Sequence, residues 1–515
     1  NGRSTNGPGG GAIFNEGGTI NLLGVTLISN LATNSPSNLT NIGWGGAILN
    51  QAGTLNATNC VFSQNVVQNG LSSYFGTNGF SPASLGGAIC NLEGKADFEG
   101  CTFISNRVVG SVWDPGYVAG LSGCASRGGA IFNSGSLVVS HCSFLANSTS
   151  GGTGANGMAG GGMFPPPVQG GYGGEANGGA ICSVGTLSIA ESTLGTNTVI
   201  GGTGGHGGDG SYGSLWSPPG SGGGSGGLCC GGALFNQGSA GLVNCTFVGN
   251  LAVGGQGGGG GAGGSGVNLG TGQTIYFPGA GGGWGGDGGG GAILSTNGSF
   301  NLTNCTIAFN SCRAGAGGEG GFGNPPGGTG PNGIATSACS VYGGVLVNNL
   351  LATNAPTNCS GFLTDAGHNL SSDTSFVFTN AGSLNNRDPL LGPVQDNGGP
   401  TLTMALFPGS PAIDAGDTAS APATDQRGFP RPVGPAADIG AYEFGSPAYL
   451  QIAHVAAAGL DLLATGPPNQ STILETSADL TAWLPISTNR FAPDGTFLFH
   501  DIASGGRKFH RLRLE

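Results

Sequence analysis

Residues capable of acid–base chemistry are few in this chain. Glu93, Lys95, Asp97 and Glu99 lie within one short segment, and Glu191 stands alone in a later one. Paired carboxylates serve polysaccharide hydrolases as acid and nucleophile, and clustered carboxylates also bind calcium. In an alternating strand, such charges are more often a solvated outer face, which is the interpretation favoured here.

A second group of acidic residues lies nearer the C-terminus and alternates with arginines. Its members are Asp414, Asp417, Asp425, Asp438, Arg427 and Arg431. Opposite charges at this density favour paired residues that pin loops over the end of a fold. A calcium site around Asp414, Asp417 and Asp425 is the alternative.

Cysteines form the third group, 13 in all. One recurring position, which also accepts Val25 and Ser192, has the character of a small buried site rather than a ligand; it holds Cys60, Cys101, Cys142, Cys245 and Cys305. An odd total leaves at least one free thiol in a monomer. The best candidate for a disulfide is Cys312–Cys339, which spans an insertion. No spacing of cysteines and histidines predicts a structural zinc site.

These residues belong to a unit that recurs seven times before residue 311. The unit reads Gly-Gly-Ala-Ile-(Phe/Leu/Cys)-Asn, a turn, a short alternating strand, and Cys-Thr-Phe-x-x-Asn. Its first half occupies residues 10–15, 45–50, 86–91, 128–133, 178–183, 231–236 and 290–295. Short strands at a fixed period with no helical pattern predict a solenoid, specifically a right-handed parallel β-helix.

Alternation within one unit predicts which side chains face the core. Leu137, Val139, Cys142 and Phe144 point inward if the chain bends near His141. Stacking such units places like residues on like, including a ladder of amides at the corners. A left-handed corner conformation is the second role expected of these residues. The corner asparagines are Asn30, Asn65, Asn106, Asn147, Asn197, Asn250 and Asn310.

Between coils, the chain makes glycine-rich insertions that all leave from one corner. The longest are residues 151–177, 201–227 and 254–289. Two interpretations remain open: a flexible fringe, or a side lobe of closely packed polyproline-II-like segments, the latter being favoured. In a lobe, the aromatic residues of the insertions would serve as anchors, namely Trp216, Tyr276, Phe277 and Trp284.

Composition narrows the function classes. The chain has 515 residues, 112 of them glycine, and a net charge of −12. An acidic chain with no basic stripe is not expected to bind nucleic acid. No apolar run is long enough for a membrane-spanning helix. Few Lys and Glu with abundant Asn, Thr, Ser and Gly suit an exported protein, and the numbering from Asn1 suggests a processed chain or a fragment.

The Gly-Gly-Ala-Ile and Phe-x-x-Asn half-motifs over residues 9–310 resemble the repeats of polymorphic outer-membrane proteins. That resemblance implies a surface-exposed β-helix of a bacterium. The C-terminal membrane barrel of that family does not follow in this sequence.

Residues 340–445 resemble instead the choice-of-anchor Q segment of secreted bacterial proteins. The residues that carry the resemblance include Gly367-His368-Asn369-Leu370, Asp396-Asn397-Gly398-Gly399-Pro400 and Asp438-Ile439-Gly440-Ala441-Tyr442-Glu443. It implies an exported, repetitive protein. We expect a helix with lateral insertions over 1–339, and last coils with a cap over 340–445.

Residues 446–515 change to six alternating strands separated by turns, which predicts a small antiparallel β-sandwich. This module carries five of the chain's 13 basic residues: Arg490, Arg507, Lys508, Arg511 and Arg513. A basic module on an acidic rod is a candidate interface.

The function expected from these features is a secreted, non-enzymatic structural or adhesive protein of the bacterial cell surface. Head-to-tail self-assembly into a filament would join the C-terminal module to the open first rung of the next copy. Two alternatives remain: a lyase or hydrolase acting on polysaccharide, and a module that binds glycans or cells. A carboxylate cluster from distant coils would favour the first, and arrayed exposed aromatics the second.

Overall fold

The computed structural model describes residues 2–4, 9–33, 43–68, 83–110, 119–161, 166–214, 219–268, 270–445, 449–456, 459–466, 471–492, 496–502 and 508–514. Every regular element in these ranges is a β-strand. Most of them pair in parallel with the equivalent strand of the preceding and following coils. The architecture is therefore a parallel β-helix, as the repeat predicts.

Each full coil contributes four strands. The first strands, in the Gly-Gly-Ala-Ile motif, are Ile13–Glu16, Ile48–Gln51, Ile89–Leu92, Ile131–Asn133, Ile181–Ser183, Leu234–Asn236 and Ile293–Ser295. The second strands are Thr19–Leu23, Thr54–Thr58, Lys95–Glu99, Ser136–Ser140, Thr186–Ala190, Ala240–Val243 and Phe300–Thr303. Cys339–Val347 extends both series in the next coil, and Cys359–Asp365 pairs with it in turn.

The third strands are Thr26–Ile28, Val61–Ser63, Thr102–Ile104, Ser143–Leu145, Thr193–Gly195, Thr246–Val248, Thr306–Ala308, Leu350–Ala352 and Leu370–Ser371. The fourth strands, which follow the corner position, are Arg3–Ser4, Leu31–Thr33, Val66–Gln68, Arg107–Val109, Ser148–Ser150, Thr198–Ile200, Leu251–Val253 and Ser311–Arg313. A minor parallel sheet contains Ser84–Leu85, Ser126–Arg127, Ala176–Asn177, Cys229–Cys230 and Gly288–Gly289.

The core follows the alternation read from the sequence. Leu137, Val139, Cys142 and Phe144 are all buried, and so are their counterparts in the neighbouring coils. The bend between the second and third strands falls where it was predicted, because His141 adopts a left-handed conformation with φ of 50°. The inward series is then continuous across the bend, and one apolar core runs along the stack.

Like residues stack on like within that core. The rings of Phe62, Phe103 and Phe144 lie parallel, with centroid separations of 4.7 Å and 4.6 Å between neighbours. Those distances match the rung spacing of a parallel sheet, about 4.8 Å. The sheet register thus sets the aromatic stack.

The glycine-rich insertions run beside the coils with a hydrogen bond at every third residue. Gly202, Gly205 and Gly208 donate their amides to the carbonyls of Gly174, Gly171 and Val168. A three-residue period is the one expected of polyproline-II-like chain. Each insertion has an outgoing leg, which leaves the coil, and a returning leg, which leads back to it. Hydrogen bonds join the outgoing legs of successive insertions, and others join the returning legs. Further hydrogen bonds connect outgoing legs with returning legs.

Glycine is required at these crossings because there is no room for a side chain. A Cβ atom on Gly205 would lie 2.0 Å from the carbonyl oxygen of Ala155, and one on Gly258 would lie 1.9 Å from that of Gly205. Over residues 201–209, two residues of each triplet are buried and the third is exposed. Beyond the legs lie three short strands, Tyr212–Ser214, Ser265–Val267 and Thr274–Tyr276.

After the last coils, the chain turns back along the side of the helix. Phe376 and Phe378 pack against the end of the core. The hairpin Leu391–Gln395 with Thr403–Leu406 then lies beside the third strands. Thr193 donates to the carbonyl of Leu402 at 2.5 Å, and Thr246 donates to Gln426 at 2.6 Å.

The C-terminal residues form two three-stranded antiparallel sheets. One contains Tyr449–Ala456, Gly459–Thr465 and Thr496–Ile502, and the other Ser471–Ser477, Leu484–Arg490 and Phe509–Leu514. All six strands expected from the sequence are present.

Candidate functional site

The corner asparagines form an unbroken hydrogen-bonded column. The side-chain amide of Asn106 donates to the side-chain oxygen of Asn147 at 3.0 Å, and Asn147 donates in the same way to Asn197 at 3.0 Å. The backbone N–H of Asn106 donates to the same oxygen of Asn147 at 3.0 Å. The column includes Asn30, Asn65, Asn106, Asn147, Asn197, Asn250 and Asn310, and it continues through Asn354 to Asn358.

A left-handed conformation belongs to the residue before each corner asparagine, not to the asparagine itself. Ser105, Ala146 and Thr196 have φ of 55°, 53° and 54°. The second role expected of the corner asparagines is therefore wrong. Their amides build the column and also donate to backbone carbonyls of the preceding coil, as Asn106 does to Phe62.

Sequence reasoning missed a second amide column at the end of the first strands. Asn15, Asn50, Asn91 and Asn133 each donate to the next residue of the series, at 2.7 to 3.0 Å, and the last of them donates to the hydroxyl of Ser183. The signal was present in the sequence, because each of these asparagines closes the Gly-Gly-Ala-Ile motif.

The recurring cysteines lie in the core. The sulfur of Cys142 accepts a backbone N–H from Cys101 at 3.2 Å, and Cys101 does the same for Cys60 at 3.4 Å. Cys245 and Cys305 repeat the contact in later coils. At the next rung, an amide replaces the thiol, because Cys305 donates its N–H to Asn349 at 3.0 Å.

The predicted Cys312–Cys339 disulfide is wrong. All 13 cysteines are free thiols. Cys312 packs in a small cluster with Cys229 and Ala252, whereas Cys339 lies in the main core, in register with Cys359. The insertion between them leaves and returns at separate points of the coil, so it does not bring the two sulfurs together.

Three coils contribute to one cluster of ionisable side chains. The two ring nitrogens of His141 lie 2.7 Å from a carboxylate oxygen of Glu99 and 2.7 Å from one of Glu191. The hydroxyl of Ser140 also donates to Glu99. Glu99 and Glu191 are thus brought together across three coils, whereas Glu93 and Lys95 take no part in this cluster. Sequence reasoning treated Glu191 as isolated although the repeat register, which aligns Ser192 with Cys142, places Glu191 beside His141.

The acidic and basic residues near the C-terminus form a buried network on the side of the helix. Arg427 binds Asp425 at 2.6 Å, and Arg431 binds Glu443 at 2.9 Å. The prediction that this set covers the last rung is wrong, because Arg431 contacts Asn244 of the sixth coil at 3.2 Å. Pairing itself is observed.

Burial shifts the pKa values of three groups in this network. Desolvation, with the nearby Glu443 carboxylate, raises the pKa of Asp438 to about 7. Desolvation also raises the pKa of Glu443 and lowers the pKa of Arg431.

The aspartates proposed as calcium ligands do not converge. Asp425 is paired with Arg427, while Asp417 accepts the hydroxyl of Ser420 at 2.6 Å. Asp414 donates its backbone N–H to Asp438 at 2.8 Å. Within the described ranges, no group of three or more His, Cys, Asp and Glu side chains is arranged to hold a metal ion.

The basic residues of the C-terminal module are only partly available. Arg511 and Arg513 both contact the Glu475 carboxylate, at 2.7 and 3.1 Å, and Arg511 also stacks on Trp483. Their side chains remain about half exposed, at 47% and 53%. Arg490 and Lys508 lie in the same module, and Arg507 lies outside the described residues.

The aromatic residues of the insertions face outward. Trp284 is 66% exposed and Tyr276 63% exposed, so the expectation that they anchor the insertions is wrong. Phe277 is half-buried, and Trp216 lies outside the described residues. Tyr172, on the returning leg two rungs away from that of Trp284, is 53% exposed. Exposed aromatic side chains are therefore a recurrent property of these insertions.

Comparison with known proteins found no matching family model, no matching curated protein and no matching solved structure. The described part of the chain contains no helix long and apolar enough to cross a membrane. The assignment of function therefore depends on the geometry alone.

Proposed function

We propose that this protein is a structural and adhesive rod exported to the surface of a bacterial cell. The observation that supports this most directly is the unbroken amide column from Asn30 to Asn358. Each buried amide takes its partners from the coils above and below, so the polar groups of one coil are satisfied only within the stack. Such a scaffold is stiff along its axis and displays its insertions at fixed intervals.

We propose further that copies of the rod join head to tail, through the C-terminal module and the first coil. In the described residues, the first coil exposes apolar side chains whose equivalents are covered later. Ile20, Leu22 and Leu27 are only partly buried, whereas Leu55, Ala57 and Phe62 at the same positions of the second coil are fully buried. A partner that covered this rung would also pair its strand edge.

Electron microscopy and light scattering at micromolar concentration test the assembly, comparing the chain with and without residues 446–515. We expect regular filaments from the longer chain and monomers from the truncated one. Monomers in both samples would contradict head-to-tail assembly, and filaments in both would place the contact outside the C-terminal module.

A second candidate function is cleavage of an acidic or neutral polysaccharide, which the Glu99–His141–Glu191 cluster favours. Two carboxylates on one imidazole are the groups that general acid–base catalysis uses. Activity on a polysaccharide panel that is abolished by Glu191→Gln would support this candidate. The same activity in Glu93→Gln is the matched control, because Glu93 lies in the turn before the strand that carries Glu99 and outside the cluster.

A further inference from the structure

The returning legs of the insertions form a regular array of exposed positions. Backbone hydrogen bonds of 2.8 Å run from Gly173 to Ser225, from Gly226 to Trp284 and from Gly285 to Pro331. Tyr172, Ser225, Trp284 and Pro331 therefore occupy equivalent positions on four adjacent legs. We call this line of residues the aromatic row.

Three glycines lie in the row beside it, and packing does not require them. Hydrogen bonds from Gly170 to Gly222, from Gly223 to Gly281 and from Gly282 to Gly328 set their register. A Cβ atom on Gly222 or Gly281 would meet nothing closer than 3.8 or 3.6 Å, and one on Gly328 would meet nothing within 4 Å. These three positions differ from the buried glycines of the same legs, where a Cβ atom would lie about 2 Å from a carbonyl oxygen.

The absence of side chains at Gly222, Gly281 and Gly328 leaves a shallow trough along the aromatic row. Gln169, at the end of the glycine row, extends its amide to within 3.9 Å of the Cβ position of Gly222. The trough thus has a backbone floor, an aromatic wall and an amide at one end. A flat ligand bordered by aromatic rings and a few polar groups fits such a surface.

The spacing of the aromatic rings indicates a repeating ligand. Tyr172 and Trp284 are separated by one intervening leg, so two rungs of about 4.8 Å place them about 10 Å apart. An extended chain of pyranose rings lying along the trough would present alternate rings to the two side chains.

Charged residues beside the aromatic row indicate whether a neutral or an anionic polysaccharide would bind. The row on the other side of Tyr172 and Trp284 contains the exposed carboxylates Glu175 and Asp287. Like charges would repel an anionic polysaccharide at this distance, and the net charge of −12 adds to that repulsion.

We propose that the trough beside Tyr172 and Trp284 is a binding site for an extended, neutral polysaccharide. The pyranose faces stack on the two aromatic rings, and the glycine floor allows the chain to approach the backbone. Gln169 and Ser225 supply hydrogen bonds to hydroxyl groups. The proposal rests on the adhesive role above and gives it a ligand class.

Affinity gel electrophoresis tests the site, with the full chain migrating through hydroxyethylcellulose, xyloglucan, glucomannan or, as the anionic comparison, polygalacturonate. We expect at least one neutral polymer to retard the protein and polygalacturonate not to do so. Trp284→Ala should weaken retardation about tenfold in affinity. Gly281→Leu should weaken it as well, because the new side chain fills the trough.

Phe322→Ala is the matched control. Phe322 is 88% exposed and lies on the outgoing legs, where its carbonyl accepts from Gly263. Retardation should be unchanged in this variant. Circular dichroism and thermal unfolding confirm that all variants are folded.

Three results would overturn the proposal: no retardation by any neutral polymer, a stronger effect of polygalacturonate, or equal losses in Phe322→Ala and Trp284→Ala. Unchanged binding in Gly281→Leu would likewise exclude the trough. Filament formation by the full chain is scored separately. Filaments without polysaccharide binding would therefore remove the ligand and leave the assembled rod in place.

Discussion

At the scale of single residues, the corner asparagines concentrate the polar interactions of the core. Asn147 accepts two hydrogen bonds from Asn106 and donates to the carbonyl of Phe103 and to Asn197. One amide thus connects three consecutive coils, and each bond lies where water does not reach.

Asn147→Ala should lower the free energy of unfolding by about 3 kcal/mol, because buried donors and acceptors of both neighbours lose their partners. Guanidinium unfolding measures the difference. Asn56→Ala is the control, since Asn56 bonds to Asn21 on the exposed side of the sheet. We expect the control to change stability by less than about 0.5 kcal/mol; equal losses in the two variants would contradict the role of the column.

Asp438 should make stability depend on pH with a sign unusual for an aspartate. Its folded-state pKa of about 7 lies above that of the unfolded chain, so folding takes up a proton in the interval between them. The free energy of unfolding should therefore fall as pH rises from about 4 to about 7, by at most about 1.4 kcal/mol per unit.

Thermal unfolding of Asp438→Asn across that pH range tests the assignment. The slope should decrease, and a residual slope of the same sign should remain from Glu443, whose pKa is also raised by burial. Asp414→Asn, a neighbour at the edge of the network, serves as the control. An unchanged slope in Asp438→Asn would exclude this carboxyl as the source.

At the scale of elements, the insertions depend on glycine at the crossings of their legs. Gly205→Ala would place a methyl group 2.0 Å from the carbonyl oxygen of Ala155, whereas Gly328→Ala meets nothing within 4 Å. We expect the first variant to cost about 2 kcal/mol and the second less than about 0.5 kcal/mol. Hydrogen exchange of the leg amides gives the readout, and equal protection in both variants would contradict close packing.

Elements that depend on local alternation could be predicted from the sequence. The inward residues of the second and third strands and the bend at His141 follow from a period of two and from the repetition of one unit. Contacts that depend on the path of the insertions could not be predicted. Nor could the path of the chain after residue 388, which returns along the helix through contacts such as Gln426 with Thr246 that no repeat encodes.

The same limit explains the errors about the insertions and the disulfide. Exposed and buried aromatic residues have the same appearance in a glycine-rich sequence, since packing there is decided by backbone crossings and not by apolar side chains. The prediction of a Cys312–Cys339 disulfide relied on the separation of the two residues along the chain. That separation does not determine in which part of the coil each side chain lies.

At the scale of the whole molecule, we expect the folded protein to be stable without disulfide bonds, with its cysteines remaining as thiols. Burial raises the pKa of Cys182 to about 12 and also raises that of Cys90. Buried thiols held in this state react slowly. Labelling with a thiol reagent should therefore be slow in the folded protein and should reach 13 groups in guanidinium. A reducing agent should leave the melting temperature unchanged; a clear decrease would reveal a disulfide.

The in-register stacking of the coils also has a mechanical consequence. A load along the axis pulls each rung directly away from the next, and every junction carries a similar set of backbone bonds and one corner amide. Extension should then proceed as a series of steps of comparable force, in which coils detach one after another from a loaded end. A higher force should be needed to detach the coils joined by the Glu99–His141–Glu191 cluster. The same holds for the coils that the returning chain contacts at Thr193 and Thr246.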